Sequence, residues 1–317
     1  MMTEAATRGQ WPLTSATGRV GDAAVVTRFA PSPTGALHIG HAASAILAHD
    51  RARASGGRFL LRIEDIDGAR SREAHVEAII ADLEWLGLRW DGFSRQSDRL
   101  GLYEAALDRL RAAGLLYPCF CTRAEIAAEL AAALTAPQGD LPPPYPGTCR
   151  RIDAATRARR LALEPHCWRL DMAAARARHP VLEWHDEVAG RVSALPEAAG
   201  DVVLARKDAP ASYHLAVTVD DAEQGISHVV RGADLFAATH VHRLLQALLE
   251  LPTPVYCHHP LVTDADGRRL AKRDGAPALA VRRLGGDDGP ALAARLRTQM
   301  RERGPLASVP ACITSSA

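Results

Sequence analysis

Residues 25–41 constrain the fold more than any other stretch of this chain. Val25-Val26-Thr27-Arg28-Phe29-Ala30 is short and β-branched, and it runs straight into Pro31-Ser32-Pro33-Thr34-Gly35. The first piece reads as a buried strand and the second as the loop that ends it. A helical pattern takes over at 38–49. The order then repeats: Phe59-Leu60-Leu61-Arg62-Ile63 reads as a second strand, and Val76, Ile79, Ile80, Leu83 and Leu86 recur at helical spacing. A further amphipathic helix carries Leu100, Leu107 and Leu110, with Gly114 where a helix C-cap belongs. A β-α-β-α opening predicts a Rossmann-like α/β fold with a parallel sheet.

From 117 to 199 the alternation breaks down into Pro142-Pro143-Pro144-Tyr145-Pro146, clustered cysteines and arginine-rich pieces, so an insertion is placed there. Tyr213-His214-Leu215-Ala216-Val217-Thr218-Val219 and 226–230 read as strands, and Val241, Leu244, Leu245, Leu248 and Leu249 as another helix. The expected organisation is therefore a disordered tail at 1–22, a first half of the Rossmann-like domain at 23–116 and the insertion at 117–199. A second half follows at 200–277, and only a short, charged, glycine-containing tail at 278–317. Residues 1–22 lack the apolar run of a signal peptide or membrane anchor.

Composition narrows the function. With 38 basic against 37 acidic residues, the chain lacks the basic excess of a protein that binds DNA non-specifically through phosphates, although a nucleic acid partner through a local patch stays open. Six cysteines at 119, 121, 149, 167, 257 and 312 are too scattered for a disulfide scaffold, which points to a reducing cytoplasm. Lys207 and Lys272 are the only lysines, all other basic side chains being arginine, so a retained lysine is a candidate for a chemical role.

His38-Ile39-Gly40-His41 falls at the first turn of the predicted helix. Free backbone donors and the positive end of the helix dipole favour phosphate there, Gly40 lets a flat base or ribose approach, and imidazole donors supplement the field. Arg28, Glu64, Tyr213 and Arg231 all read as strand-end residues, the edge at which open α/β sheets bind ligands. Cys119, Cys121 and Cys149 offer three soft thiolates in a loop with little core of its own. Spacing alone leaves them as a metal site or as small buried hydrophobes, with Tyr145 a feasible oxygen donor and His166 or Cys167 the next choice.

The segment from Arg28 to His41 resembles the HIGH signature of class I aminoacyl-tRNA synthetases in the form used by the glutamyl branch. Arg269-Leu270-Ala271-Lys272-Arg273 resembles a degenerate copy of the second signature, the KMSKS loop, with arginine at the first lysine and Ala271 at the serine. The likeness spans residues 25–277. Full glutamyl-tRNA synthetases continue into anticodon-reading helices, whereas this sequence ends soon after Lys272. That feature and the cysteine cluster resemble the glutamyl-Q tRNA(Asp) synthetase family.

The resemblance implies a class I catalytic domain with an inserted zinc-containing module. It implies activation of L-glutamate by ATP with Mg2+ and transfer to the queuosine base at the wobble position of tRNA(Asp), by a cytoplasmic monomer with no membrane partner. It assigns His38, His41 and Lys272 to catalysis, the same three with Gly40 to ATP, and Arg28, Ser32, Glu64, Tyr213 and Arg231 to glutamate. Cys119, Cys121, Tyr145 and Cys149 fall to Zn2+. Arg150, Arg151, Arg157, Arg159 and Arg160 are candidate phosphate contacts. The competing expectations are a truncated glutamyl-tRNA synthetase that charges the tRNA 3′ end, another HIGH-type nucleotidyltransferase, and a catalytically dead tRNA-binding paralogue.

Overall fold

The computed structural model describes residues 24–122, 124–126, 145–207, 209–262 and 277–302. Strand β1 (Val26–Phe29) lies parallel to β2 (Arg58–Ile63), and β2 parallel to β3 (Gly92–Arg95). Helix α1 (Ile39–Ala54) joins the first pair and α2 (Glu73–Trp85) the second, matching the periodicities read above. Along α1, Ala42, Ala43, Ala45, Ala48 and Ala52 are fully buried, and these small side chains let the helix lie close on the sheet. Thr27 fixes the distance by donating its hydroxyl to Ala48 O at 2.7 Å.

Helix α3 (Leu100–Ala112) leads to β4 (Leu116–Cys119), after which come α4 (Ala154–Leu163), β5 (Cys167–Leu170) and α5 (Met172–Arg178). A hairpin of β6 (Glu183–Asp186) and β7 (Gly190–Ser193) precedes β8 (Val203–Ala205). Strands β4, β5 and β8 form a separate antiparallel sheet, so residues 203–205 pair with the stretch read as an insertion. The hairpin at 183–193 instead joins the second parallel half-sheet.

That half-sheet contains β9 (His228–Gly232) and β10 (Val255–His259), ordered β7-β6-β10-β9 and parallel except at the hairpin. It abuts the first at β1, where Ser227 N donates to Val26 O at 3.0 Å and Val26 N to Ser227 Oγ at 2.9 Å. From this seam the chain runs outward through β2 and β3 on one side and through β10 on the other. Such a switch point opens a crevice at the carboxyl ends of the strands.

Two readings are corrected. Residues 213–219 are not a strand: they begin α6 (Tyr213–Glu223). Leu215, Ala216, Val217 and Val219 are all at most 1% exposed, so the segment is apolar on every side and its alternation carried no directional information. Nor is the region after 277 merely a charged tail, since α8 (Leu279–Leu284) and α9 (Gly289–Glu302) follow α7 (Phe236–Leu248) and β10. Leu292, Leu296 and Met300 repeat every four residues, and Leu279, Leu292 and Leu296 join the core formed by Ile46, Phe59, Leu61 and Leu83. Residues 1–22, the Pro142-Pro143-Pro144 run and the second signature at 269–273 lie outside the described residues. No helix among the described residues is long and apolar enough to cross a membrane.

Gly57, at the turn from α1 into β2, has no room for a side chain. A Cβ there would stand 1.9 Å from Val25 O, a carbonyl already bound by Arg58 N at 2.9 Å. Gly57→Ala is expected to cost about 3 kcal/mol, read as a lower denaturation midpoint at unchanged slope.

Candidate active site

The crevice at the seam is a cleft of about 510 Å³. Its walls come from the 30–37 loop, the start of α1, the end of β2, the start of α6 and the carboxyl ends of β9 and β10. Arg28, Ser32, His38, Gly40, His41, Glu64, Tyr213 and Arg231 all line it. Tyr213 arrives there from a helix N-terminus and not from a strand end.

One end is built for an anion. His38 is the N-cap of α1, its Nδ1 accepting from Gly40 N at 3.1 Å, while His41 Nδ1 accepts from His38 N at 3.1 Å. Both rings therefore spend Nδ1 as an acceptor and carry their proton on Nε2. The rings sit 3.8 Å apart, and no acidic side chain in the first turn offsets the helix dipole. Beside them His259 Nδ1 lies 2.9 Å from Pro260 O and donates to it, so Ser44 Oγ donates to His259 Nε2 at 2.8 Å. Burial holds the His259 pKa below its ordinary value.

The other end is dominated by buried charge. Arg28 forks onto Asp221 through Nε (3.0 Å) and Nη2 (3.3 Å), and Asp221 also accepts from Arg62 Nη2 at 2.7 Å. Arg62 is fully buried, its Nη2 and Nε donating to Gln224 Oε1 at 2.6 and 3.0 Å while Nη1 is buried without a hydrogen-bond partner. Below it Asp220 gathers Arg99 (2.6 Å), Tyr103 OH (2.9 Å) and Gln96 (2.9 Å). Burial works against the Asp221 charge, yet Arg28 and Arg62 outweigh it and hold that carboxyl below its ordinary value.

Glu64 fares differently. Burial pushes its pKa up to about 7 against the pull of Arg62 and Arg28, and its Oε1 is buried without a hydrogen-bond partner. Arg231 is also buried, and it donates to Thr239 Oγ1 at 2.6 Å, His258 Nε2 at 3.1 Å and Tyr213 OH at 3.2 Å. An unfilled carboxylate and a cation surrounded by neutral acceptors suit a small ligand that carries both an ammonium and a carboxylate.

Away from the cleft, the sulfurs of Cys119, Cys121 and Cys149 lie within 4.8 Å of one another, with 3.4 Å between Cys121 and Cys149. Tyr145 OH stands 3.5 Å from both Cys119 Sγ and Cys121 Sγ and accepts from Cys149 N at 2.9 Å. A hydrogen bond from Cys167, which faces Cys119 across the β4–β5 ladder, is the main cause holding the Cys119 thiol below its ordinary value. Sulfurs bound to one tetrahedral zinc at about 2.3 Å stand roughly 3.8 Å apart, so this donor set fits that ion.

The sequence model described as tRNA synthetases class I (E and Q), catalytic domain, matches residues 24–305. A glutamyl-Q tRNA(Asp) synthetase from Rhodobacter capsulatus is 50% identical over 271 residues, covering 83% of this chain and 96% of the relative. The chain belongs to the glutamyl-Q tRNA(Asp) synthetase family. Another glutamyl-Q tRNA(Asp) synthetase, from Symbiobacterium thermophilum, is 46% identical over 82% of this chain and 81% of the relative. Among solved structures, a glutamate-tRNA synthetase from Elizabethkingia anophelis superposes with a TM-score of 0.69 at 30% identity, over 79% of this chain. This chain spans about half of that protein, 53% of its length.

As a glutamyl-Q family member the chain carries side chains at the site that sequence reading missed: Arg62, Asp220, Asp221 and Gln224 behind Arg28, and Asp186, Thr239, His242 and His258 around Arg231. Nothing local marked them, since Asp221 meets Arg28 across 193 residues. The arginines proposed for RNA phosphates divide. Arg150 is held by Asp201 at 3.1 Å, Arg157 donates to Arg150 O and Ile152 O, and Arg160 pairs with Glu164 while lying over Phe120. Arg151 and Arg159 are exposed.

Proposed function

We propose that the cleft activates glutamate with ATP and passes it to the queuosine base of tRNA(Asp). The observation that carries this reading is the union, in one cleft, of a helix start with two Nε2–H imidazoles, an unfilled buried carboxylate and a guanidinium held by neutral partners. Glu64 takes the substrate ammonium, and Arg231 with Tyr213 takes the side-chain carboxylate. Arg28, steadied by Asp221, orients the remaining carboxylate, and Ser32 adds a contact from the loop.

The reaction needs no protein nucleophile. An α-carboxylate oxygen of glutamate bonds to the α-phosphorus of ATP, the bond to the bridging oxygen breaks, and pyrophosphate leaves. Imidazole N–H groups and the α1 N-terminus stabilise the charge that builds on the phosphates. Gly40 leaves space for the nucleotide, and Lys272 contributes a compact point charge from the second signature. Magnesium enters as part of the nucleotide substrate. A queuosine hydroxyl then attacks the acyl carbon, releasing AMP and leaving an ester on a base made accessible by its unpaired loop.

Zinc in the Cys119, Cys121, Tyr145, Cys149 cluster would tie β4 to the 145–151 segment, which has little apolar core beyond Tyr117, Phe120 and the thiols. Purified protein is expected to hold about one zinc per chain by elemental analysis. Cys121→Ser together with Cys149→Ser is expected to abolish that content and speed proteolysis between β4 and β5.

Transfer of labelled glutamate to tRNA(Asp) bearing queuosine, after removal of the 3′ adenosine, tests the acceptor. Label retained on the shortened tRNA and absent from queuosine-free tRNA supports the reading. Label that vanishes with the adenosine indicates a truncated enzyme that charges the 3′ end.

A further inference from the structure

A buried guanidinium normally stands beside a carboxylate, because its charge has lost most of its hydration. Arg28 does so with Asp221, and Arg62 with Asp221 and Asp220. Arg231, only 5% exposed, pairs with no carboxylate among the described residues. Its partners are Thr239 Oγ1, His258 Nε2, Tyr213 OH and, at 3.4 Å, His242 Nδ1.

The nearest acid in this chain of contacts is one residue removed. Asp186, fully buried, accepts from His258 Nδ1 at 2.7 Å and from His258 N at 3.2 Å, while its other oxygen takes Val188 N and Ala189 N at 2.9 Å each. The His258 proton is thus on Nδ1, leaving the Nε2 lone pair to face Arg231. His242 likewise accepts through Nδ1 and donates from Nε2 to His214 Nδ1 at 3.1 Å. Burial drives His258 and His214 down to about 4, so these rings stay uncharged near neutrality. Tyr213, having accepted from Arg231, presents its own O–H as a donor. A ligand group at this end must therefore accept from both Arg231 and Tyr213, which a carboxylate does fully and a carboxamide NH2 cannot.

We propose that Asp186 and His258, with Thr239, are positioning residues that fix the Arg231 fork while withholding a counter-charge, and that this arrangement selects a side-chain carboxylate over a carboxamide. The proposal rests on the glutamate reading of the cleft.

The test is ATP–pyrophosphate exchange with glutamate and with glutamine, for wild type, Thr239→Asp, Thr239→Asn, His258→Leu and His258→Gln. Thr239→Asp supplies Arg231 with a counterion. It is expected to lower kcat/KM for glutamate about 100-fold with less than about 10-fold change for glutamine, whereas Thr239→Asn keeps the wild-type preference. His258→Leu is expected to raise KM for glutamate about 10-fold with a smaller effect on kcat, and His258→Gln, which restores an acceptor toward Arg231, recovers most of it. Calorimetric binding of ATP and the thermal midpoint report folding in each variant. Should the aspartate variant fail to fold, the His258 pair decides. An unchanged glutamate preference in folded Thr239→Asp, or an unchanged KM in His258→Leu, overturns the proposal. Wild-type protein without glutamate-dependent exchange strikes down the glutamate reading instead.

Discussion

Arg231→Leu is expected to lower kcat/KM for glutamate about 1,000-fold while ATP binding survives. The reasoning starts from burial. An apolar residue of similar reach leaves Thr239, Tyr213 and His258 largely in place, so the fold loses hydrogen bonds to neutral groups and no ion pair. The substrate loses much more, since its side-chain carboxylate would enter a desolvated pocket without a counter-charge, at a cost of about 4 kcal/mol. In the proposed reading the nucleotide binds at the other end of the cleft, on the α1 start. Initial-rate exchange at varied glutamate, paired with calorimetry of ATP, separates the two. A loss confined to KM within a few-fold would show that Arg231 is peripheral to the substrate.

Glu64→Gln gives the second large effect, and it has a pH signature. Burial raises the Glu64 pKa from 4.5 to about 7 against Arg62 and Arg28, so the side chain is half protonated near neutrality when no ligand is bound. Only the ionised form attracts an ammonium. Wild-type kcat/KM for glutamate is therefore expected to fall as pH drops below about 7, whereas Glu64→Gln lacks this limb and runs about 100-fold lower on the alkaline plateau. Stability moves the opposite way. Because the folded pKa exceeds the unfolded one, the folded state gains from holding the proton, and that gain is complete below pH 4.5 and lost as pH rises through 7. Above pH 7 the ionised Glu64 costs the fold about 3 kcal/mol, so Glu64→Gln is expected to melt higher at pH 8 and nearly alike at pH 4. Binding function and fold stability compete at this one carboxyl.

How far the sequence discloses such a site depends on the range of its contacts. Residues 25–41 were readable because strand, loop, cap and first helical turn are consecutive, and each rests on a neighbour within a few positions. The same held for α2 and α7, whose apolar residues recur at helical spacing. It failed at 213–219, where burial on all sides erased the polar face that distinguishes helix from strand. It failed again beyond 277, where charged residues between Leu279, Leu292 and Leu296 masked a four-residue spacing. The convergence of Cys119, Cys121 and Cys149 was legible in their spacing, and Tyr145 OH stands 3.5 Å from two of the sulfurs. The supports behind Arg28 and Arg231 were invisible. Asp221 reaches Arg28 and Arg62 from α6, and Asp186 reaches His258 from a neighbouring strand 72 residues earlier. Pairings of that kind are written in the topology and in no local pattern.

The arrangement also explains why the site tolerates so many buried charges. Arg28, Arg62 and Arg99 alternate with Asp221 and Asp220, so each charge has an opposite neighbour and the cluster forms a stiff base for the cleft. Glu64 and Arg231 stand at its edges, one without a partner on Oε1 and the other with neutral partners only. In the proposed reading the substrate completes both.

The most direct measurement is exchange of labelled pyrophosphate into ATP by the purified chain, without tRNA, for each of the twenty amino acids in turn. The account predicts exchange with glutamate, little or none with glutamine and aspartate, and loss of the signal in Arg231→Leu. Exchange driven by a different amino acid, or no exchange with glutamate by folded, ATP-binding protein, would contradict it.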